Sequence, residues 1–542
     1  MTEAMKEGAW PKWPALAIFL GAFLLAAWTA GDYGVTWDEP PYFHASDLHI
    51  AWIAEFADNL VHGSTGKSLD DERIQAAWHW DAYHVPHPPF SRIVSGVTHA
   101  LSPPWVDKFV SYRLGPALFF ALLAAVVYLW VTELFSWPTG LFAALSVGLI
   151  PNMFGFAHIA VTDMPLAAMW LVTAYCFWKG IENWKWSVAF GIVWGLALAT
   201  KFPALLIPAP LLLWAHIFRR DRYANNIMAM LLLSPIVMIA TQPYLWHKPF
   251  LRILEFLYEG VSRGYRPETN YPVLFFGRAV YSDSLPKYYT FFLTAITTPE
   301  TILALTLIGV VVLFRDSARR PAMALFGLNA LFILLLGSLP GAVLHDGMRQ
   351  MLSVYAFMAA LASAGFHYVA QALGQRLAPV KTLESVRNVQ AKAAAALAAL
   401  LLVPSLVAVI AYHPFELSYY NRFVGGLSGA YARGLEPTYF MEAITPSFLK
   451  YLNERLPQNA AINGLFANFM LEYYQQQGKL RRDIKITDDK HFDYTILLNR
   501  RSIVAVLDAR HQLDHIKEGQ PPLASVALGG VPLVMLYEAH PR

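Results

Sequence analysis

The chain has 542 residues, of which 56% are hydrophobic and only 15% are charged, and its mean hydropathy is +0.39. This balance excludes an ordinary soluble globular protein and indicates a membrane protein with several spanning segments. The net charge of +3, from 41 basic and 38 acidic residues, is too small to predict a nucleic-acid partner.

Repeated apolar stretches predict a polytopic α-helical membrane protein with about eleven transmembrane helices. They lie at residues 13–31, 109–132, 138–157, 164–181, 186–200, 202–218, 226–245, 289–314, 322–340, 349–372 and 392–412. The short stretches around Lys201 are open to a second interpretation, in which Pro203 kinks one long helix. The first stretch lacks a small-residue cleavage pattern and is predicted to remain as an uncleaved span. The single cysteine, Cys176, excludes an intrachain disulfide.

The orientation follows from the short loops, because cytoplasmic loops of membrane proteins carry an excess of arginine and lysine. One set of loops holds most of these residues, namely Arg219, Arg220, Arg222, Arg315, Arg319, Arg320, Arg376, Lys381 and Arg387. We therefore predict a cytoplasmic N-terminus in a bacterial inner membrane. An odd number of spans then places the C-terminus outside, together with the long segments 32–108, 246–288 and 413–542.

The tail lacks long apolar runs and predicts a second domain. We expect a transmembrane catalytic domain at 1–412 and an extracytoplasmic α/β domain at 413–542. Alternating patterns predict strands at 460–466, 483–487, 494–498 and 503–507, a helix at 468–477, and a final hairpin or strand at 529–537.

Three carboxylates lie close to the ends of predicted spans. Asp38 and Glu39 follow the first span, and Asp163 begins the fourth. Two crossings separate them, so all three are predicted on the external side. Acids this close to hydrocarbon carry a desolvation cost and are usually functional. These residues are the candidate catalytic groups.

An external transferase lacks a supply of nucleotide sugars and needs a donor that arrives through the membrane, such as a polyprenyl-phosphate sugar. The phosphate leaves without protonation, so the reaction needs one general base and positive charge near the phosphate. Asp38 is the predicted base, with Glu39 orienting or assisting it. Asp163 is predicted to hold the acceptor or to complete a metal site.

Each acid also has a structural interpretation. Asp38 precedes Pro40, and Asp163 precedes Pro165, so each is a candidate helix cap. Capping and catalysis are compatible roles.

Five side chains are candidates for binding the donor phosphate: Lys201, Arg349, His87, Arg263 and Arg266. Arginine grips phosphate with paired donors. The alternative for Lys201 is snorkelling to the membrane interface, and the two loop arginines have lipid headgroups as alternative partners.

His84 and His87 have a spacing seen in metal sites, but the intervening and following prolines exclude a regular helix. A phosphate or sugar contact is the favoured interpretation for His87, and a solvated loop position is the alternative. No cofactor is certain from the sequence. The candidate ligands for a divalent metal are Asp38, Glu39, Asp163 and His84.

The chain resembles glycosyltransferase family 39 of the GT-C superfamily, which includes the protein O-mannosyltransferases and the lipid A aminoarabinose transferase. The resemblance rests on Trp37-Asp38-Glu39, His87-Pro88-Pro89-Phe90, Thr162-Asp163-Met164-Pro165, Ala199-Thr200-Lys201, Leu285-Pro286-Lys287-Tyr288-Tyr289, Gly347-Met348-Arg349, and His413-Pro414-Phe415-Glu416 with Tyr419-Tyr420-Asn421 and Gly425-Gly426.

The resemblance implies a GT-C fold, a catalytic aspartate at Asp38, basic residues around the donor phosphate and, in some members, a divalent metal. The chain departs from the family at two positions. His87 stands where the family often has lysine, and Met348 stands where an aromatic residue usually precedes Arg349.

The sequence thus predicts an inverting membrane glycosyltransferase that moves a sugar from a polyprenyl-phosphate donor to a hydroxyl of a lipid, protein or glycan. A polytopic transporter or lipid flippase with an external accessory domain is the alternative, but it predicts ionisable residues near mid-membrane and related halves. A scaffold that displays the tail domain would leave the three acids unexplained.

Overall fold

A computed structural model describes residues 13–79, 86–262, 266, 270–377, 383–489 and 491–539. Its helices are α1 Trp13–Thr29, α2 Glu39–Val61, α3 Asp71–Trp78, α4 Phe90–Leu101, α5 Lys108–Leu134, α6 Trp137–Gly148, α7 Pro151–Phe156, α8 Asp163–Gly180, α9 Trp184–Leu198, α10 Pro208–Phe218, α11 Ala224–Ala240, α12 Pro249–Ser262, α13 Tyr289–Thr297, α14 Glu300–Arg315, α15 Arg320–Leu336, α16 Val354–Leu377, α17 Leu383–Tyr412, α18 Gly426–Ala432, α19 Pro446–Arg455, α20 Asn468–Gln476 and α21 Arg501–Ala509. Its strands are β1 Pro272–Phe275, β2 Arg278–Tyr281, β3 Ala461–Asn463, β4 Lys485–Ile486, β5 Tyr494–Leu498, β6 Ala524–Leu528 and β7 Val531–Glu538.

The predicted spans coincide with helices or with pairs of helices. Among the described residues, three helical segments are long and apolar enough to cross a bilayer, judged by length and composition: Lys108–Leu134, Val354–Leu377 and Lys392–Tyr412. Five shorter apolar helical segments also lie at predicted spans: Trp13–Thr29, Trp184–Leu198, Phe202–Phe218, Ala224–Ala240 and Arg320–Leu336. The mainly helical fold is confirmed, and the count of eleven crossings stays a prediction.

Two predicted spans are broken by proline. The stretch 138–157 forms α6 and α7, and the second of these begins at Pro151. The stretch 289–314 forms α13 and α14, with Pro299 at the boundary. Proline lacks an N–H and disfavours helical backbone in the residue before it, so each break follows from the sequence. Around Lys201, α9 ends at Leu198 and α10 begins at Pro208, so two helices form rather than one kinked helix.

The two long segments between predicted spans contain their own secondary structure. In the first, α2, α3 and α4 enclose a small core built on Trp52, Ile74 and Trp78. The second contains α12 and the antiparallel hairpin of β1 and β2. The chain that leads from α1 to α2 carries Asp38.

The tail contains a five-stranded sheet in the order β4-β3-β5-β7-β6. β3 is parallel to β4 and β5, whereas β7 is antiparallel to β5 and β6. Four predicted strand regions and the helix at 468–477 are confirmed. The strand predicted at 503–507 is wrong, because this stretch lies in α21. Ile503, Val504 and Leu507 share one helical face that packs against Leu497 and Met535 of the sheet.

The segment before the sheet packs closely on the rest of the chain. The side-chain amide of Asn421 donates to the carbonyls of Ala295 and Thr298 at 2.7 and 2.8 Å. Gly34 lies against a neighbouring backbone, since a Cβ there would meet the carbonyl oxygen of Glu442 at 2.5 Å. The apolar cores of the helices and of the sheet form one continuous cluster. The domain boundary at residue 412 stays a prediction.

Candidate active site

The loop between α1 and α2 is held by one buried arginine. Arg113 lies near the start of α5 and donates to the carbonyls of Ala30, Tyr33 and Gly34 at 2.9, 3.0 and 2.8 Å. It also forms an ion pair with Glu39 at 2.8 Å. These contacts fix the path of the chain that ends at Asp38.

The carboxylate of Glu39 is fully enclosed by donors. Its two oxygens accept from Nε and Nη2 of Arg113 at 2.8 Å, from the backbone N–H of Thr36 at 2.8 Å and from that of Ala160 at 3.1 Å. The side chain has no exposed surface. This geometry favours the orienting role over the assisting role, the two alternatives predicted for Glu39 from the sequence.

Asp38 has a different environment. It occupies the N-cap position of α2, but its side chain makes no capping hydrogen bond. It accepts instead from Nη2 of Arg349. Its side chain remains 31% exposed, so a reactant can approach it.

Arg349 connects three carboxylates. Its Nε lies 3.0 Å from Asp163 and its Nη1 lies 3.2 Å from Asp346, while Nη2 binds Asp38. The guanidinium also lies 4.6 Å from the ring centroid of Phe440, a cation–π distance. Asp38 and Asp163 are far apart in sequence, but in the folded chain both bind the same cation, Arg349.

Lys201 completes the pairing of Asp163. Its ammonium lies 2.6 Å from Asp163 and 3.2 Å from the side-chain oxygen of Gln350. Lys201 is only 4% exposed, so it points into the protein and does not snorkel outward. Asp163 is the first residue of α8, which Thr162 precedes at the N-cap position without a side-chain capping bond.

Asp346 lies at the far end of the cluster in a left-handed backbone conformation, with φ +60°. His345 Nδ1 lies 2.5 Å from it, and Nη1 of Arg500 lies 2.8 Å from its other oxygen. Burial alone would raise the pKa of Asp346, but His345, Arg500 and Arg349 lower it well below its usual range. Asp346 is therefore a fixed negative charge.

Two of the other predicted phosphate ligands, His87 and Arg266, belong to the described part of the chain. His87 lines a small cavity of about 30 Å³ with Gln242 and Phe256. Arg266 pairs with Glu259 at 2.6 Å. His84 and Arg263 lie outside the described residues.

Three of the predicted metal ligands, Asp38, Glu39 and Asp163, are described, and each is already paired. Both oxygens of Asp163 and of Glu39 already accept from cationic or backbone donors, and Asp38 is bound to Arg349. A hard divalent cation requires several free carboxylate oxygens, and here it would also meet the charge of Lys201. Among the described residues, no group of three His, Cys, Asp or Glu side chains is arranged to hold a metal.

A larger cleft of about 1210 Å³ lies on the sheet of the tail. Its lining includes Asp488, Asp493 and Tyr494, but none of the described residues that the sequence singled out for catalysis. The paired charges around Asp38 therefore define the candidate active site.

Three residues of the site escaped the sequence interpretation: Arg113, Asp346 and Arg500. Arg113 had a usable signal, as a single charge within the second apolar stretch. Asp346 lies three residues before the candidate Arg349, and this proximity was its one signal in the sequence. Arg500 follows β5 in the tail and had no local signal, because only tertiary folding brings it to the site.

Comparisons with known proteins agree with this architecture. Residues 86–247 match the sequence model of the family described as dolichyl-phosphate-mannose-protein mannosyltransferase. The fold is similar to ArnT from Cupriavidus metallidurans bound to undecaprenyl phosphate, with a TM-score of 0.50 and 14% identity, covering 96% of this chain and 97% of that chain. The apo state of ArnT gives the same TM-score and coverage at 15% identity. A comparison with curated protein sequences gave no match.

The fold is thus mainly helical and similar to that of ArnT, with a small sheet region near its C-terminus. The predicted resemblance to the GT-C glycosyltransferases, including the mannosyltransferase-like family, is confirmed.

Proposed function

We propose that this protein is an inverting membrane glycosyltransferase that moves a sugar from a polyprenyl-phosphate donor to an acceptor hydroxyl on the extracytoplasmic face of a bacterial inner membrane. The observation that carries the proposal is the convergence of Asp38, Asp163, Lys201 and Arg349 into one largely buried cluster, in which the carboxylate of Asp38 is partly exposed. ArnT, whose fold is similar, has been seen with undecaprenyl phosphate.

Asp38 acts as the general base. The acceptor hydroxyl loses its proton to the Asp38 carboxylate while its oxygen attacks the anomeric carbon of the sugar. The bond between that carbon and the phosphate oxygen breaks, and the electron pair leaves with the polyprenyl phosphate. Attack from the face opposite the phosphate inverts the anomeric configuration. General-base catalysis of this kind contributes about 10²–10⁴-fold to the rate.

Lys201 and Arg349 stabilise the phosphate as it leaves. Their positive charges are fixed in place before the reaction by Asp163, which binds both at 2.6 and 3.0 Å. Charges that are oriented in advance stabilise a leaving group without reorganisation during the reaction. Asp163 is thus a positioning residue that keeps two cations together.

The membrane topology is part of the proposal. With eleven crossings and a cytoplasmic N-terminus, α1 leads outward to Asp38, and the second and third spans return the chain to Asp163. Both acids then face the side that lipid-linked sugars reach. The sheet region of the tail lies on the same side.

The transporter alternative has less support. The ionisable residues of the cluster are paired with one another at the ends of helices, where α2 and α8 begin. A chain of such residues along a membrane path would favour transport.

The test uses the purified full-length chain in lipid vesicles with radiolabelled undecaprenyl-phosphate sugars and an extract of bacterial envelope lipids, proteins and glycans. We expect label to move to an extract component, unlabelled undecaprenyl phosphate to compete, and the product to have the opposite anomeric configuration by NMR. Transfer from nucleotide sugars but not from the lipid phosphates would contradict the proposal.

A further inference from the structure

Arg500 belongs to the sheet region of the tail but reaches the proposed active site. It follows β5 and immediately precedes α21, and it is 3% exposed. Its Nη1 donates to the carbonyl of Tyr439 at 2.9 Å and lies 2.8 Å from Asp346. The Asp346 oxygen that faces Arg500 is Oδ1, and it accepts no well-aligned hydrogen bond from the described residues. The contact with Arg500 is therefore mainly an attraction between opposite charges.

The same guanidinium touches the residue beside the proposed base. The Cζ atom of Arg500 lies 4.6 Å from the ring centroid of Trp37, which directly precedes Asp38. The backbone N–H of Trp37 donates to the carbonyl of Phe440 at 3.2 Å. Phe440 in turn faces the guanidinium of Arg349 at 4.6 Å. Phe440 of the tail thus contacts both Trp37, which precedes Asp38, and Arg349.

Arg500 is one of three always-charged side chains in the cluster, and it faces Asp346 from the side opposite His345, which lies 2.5 Å from the other oxygen of that carboxylate. Three carboxylates and three fixed cations lie in one network: Asp38, Asp163 and Asp346 with Lys201, Arg349 and Arg500. Lys201 pairs with Asp163, and Arg500 pairs with Asp346. Arg349 lies between the three acids. How strongly each acid attracts its guanidinium depends on these two flanking pairs.

We propose that Arg500 is a positioning residue of the transfer reaction, which neutralises Asp346 and thereby keeps Arg349 directed at Asp38 and the donor phosphate. The inference rests on the proposed function and extends it to a residue of the tail. Without Arg500, the buried charge of Asp346 would be under-compensated. It would attract Arg349, which already lies 3.2 Å away, and draw it from Asp38.

Stacking on Trp37 adds a second effect. A guanidinium is planar and delocalised, so it packs on an indole face while it pairs with a carboxylate. The contact restrains Trp37 and, through it, the backbone of Asp38. A displacement of about 1 Å in a catalytic group lowers rates by about 10²-fold.

The experiment compares full-length variants in the same vesicle assay of sugar transfer. Arg500→Met is expected to lower kcat by about 10- to 100-fold when it is assayed below its unfolding temperature, at which circular dichroism shows the variant to be folded. The double variant Asp346→Asn with Arg500→Met is expected to recover about fivefold or more, since it removes the uncompensated charge. A purely structural role in docking the tail predicts no recovery.

Arg501→Met is the matched control. Arg501 is the next residue, and its guanidinium contacts Tyr431 instead of the cluster. We expect it to transfer sugar at the wild-type rate. Arg500→Lys keeps the positive charge but loses the planar contact with Trp37, so it is expected to lower kcat by less than about tenfold, which provides a test if Arg500→Met does not fold.

Wild-type activity in Arg500→Met, or equal loss in the single and double variants, would overturn the inference. So would a loss beyond about tenfold in Arg500→Lys. The proposed function fails separately, since in that case the wild-type chain itself shows no transfer from the lipid-linked donor.

Discussion

Asp38 and Glu39 are neighbours in sequence, yet the structure gives them opposite environments. Asp38 is 31% exposed and accepts from Arg349 at the edge of the charged cluster. Glu39 is fully buried and is saturated by donors from Arg113 and two backbone N–H groups. Two acids in one motif therefore differ in access: the carboxylate of Asp38 is open to a reactant, whereas that of Glu39 is enclosed and holds the loop.

This division has a physical basis. A buried carboxylate is stable only when every lone pair is satisfied, and such a group is poorly placed to exchange a proton. A carboxylate at the edge of a cavity keeps contact with water and substrate. Substitutions of Asp38 and of Glu39 should therefore have different effects, the first on the rate and the second on stability.

The largest expected effect is that of Asp38→Asn on the rate. We expect kcat to fall about 10²–10⁴-fold, because asparagine cannot accept the proton of the acceptor. Its amide oxygen still accepts from Arg349, so the fold should persist. Initial rates with a labelled lipid-linked donor measure the effect. Asp58→Asn, at the exposed end of α2, is the control and should be fully active. A rate within about threefold of wild type would remove Asp38 from the mechanism.

Glu39→Gln should act on stability. It leaves the buried Arg113 charge without its partner, and breaking such a pair costs about 3–5 kcal/mol. Denaturant unfolding followed by tryptophan fluorescence measures the loss. Glu133→Gln, in a partly exposed pair with Lys179, is the control and should change stability by less than about 1 kcal/mol. A stable but inactive Glu39→Gln would show that Glu39 acts in catalysis.

Lys201→Met should weaken donor use. A charge-assisted hydrogen bond contributes about 1.5–3 kcal/mol, so the KM for the donor should rise about 10- to 100-fold. Lys179→Met is the control, because this lysine lies in the last turn of α8, far along the helix from Asp163. A fall in kcat with an unchanged KM would limit the role of Lys201 to the departing phosphate, and unchanged kcat and KM would show that the phosphate is held elsewhere.

The smallest effect concerns pH. His413 lies 2.9 Å from Asp32 and 2.8 Å from Glu416, and joins the end of α1 to the tail. Burial lowers the pKa of His413, but Glu416 and Asp32 raise it to about 9.

Because the folded pKa is above the unfolded one, this stabilisation is complete below about pH 6.5 and is lost as pH rises to 9. We expect a loss of about 1–2 kcal/mol over this range, limited by the exposure of Asp32. Unfolding at several pH values measures it. His413→Gln should remove the slope, and an unchanged slope would assign it to another group.

Much of the fold could be predicted from the sequence. Apolar runs located the helices, and alternation located β5 at its observed bounds, residues 494–498. The strand at 503–507 was predicted wrongly because Ile503, Val504 and Val506 favour strands. The helical spacing of Ile503, Val504 and Leu507, which lets one face pack on the sheet, decides the structure.

The site was predictable where a charge stands next to an apolar run. Asp38, Asp163, Lys201 and Arg349 all have this pattern, and the structure brings them together. The contribution of Arg500 was not predictable, because it depends on how the tail packs over Trp37. The different environments of Asp38 and Glu39 were also not predictable, because they depend on contacts with residues distant in sequence.

The most direct test measures donor binding and single-turnover transfer on one preparation of Asp38→Asn. If Asp38 is the base and neither an anchor for the donor nor a part of the fold, the Kd for undecaprenyl phosphate stays within about threefold of wild type while transfer falls at least about 100-fold. Loss of donor binding in parallel with transfer would contradict the account.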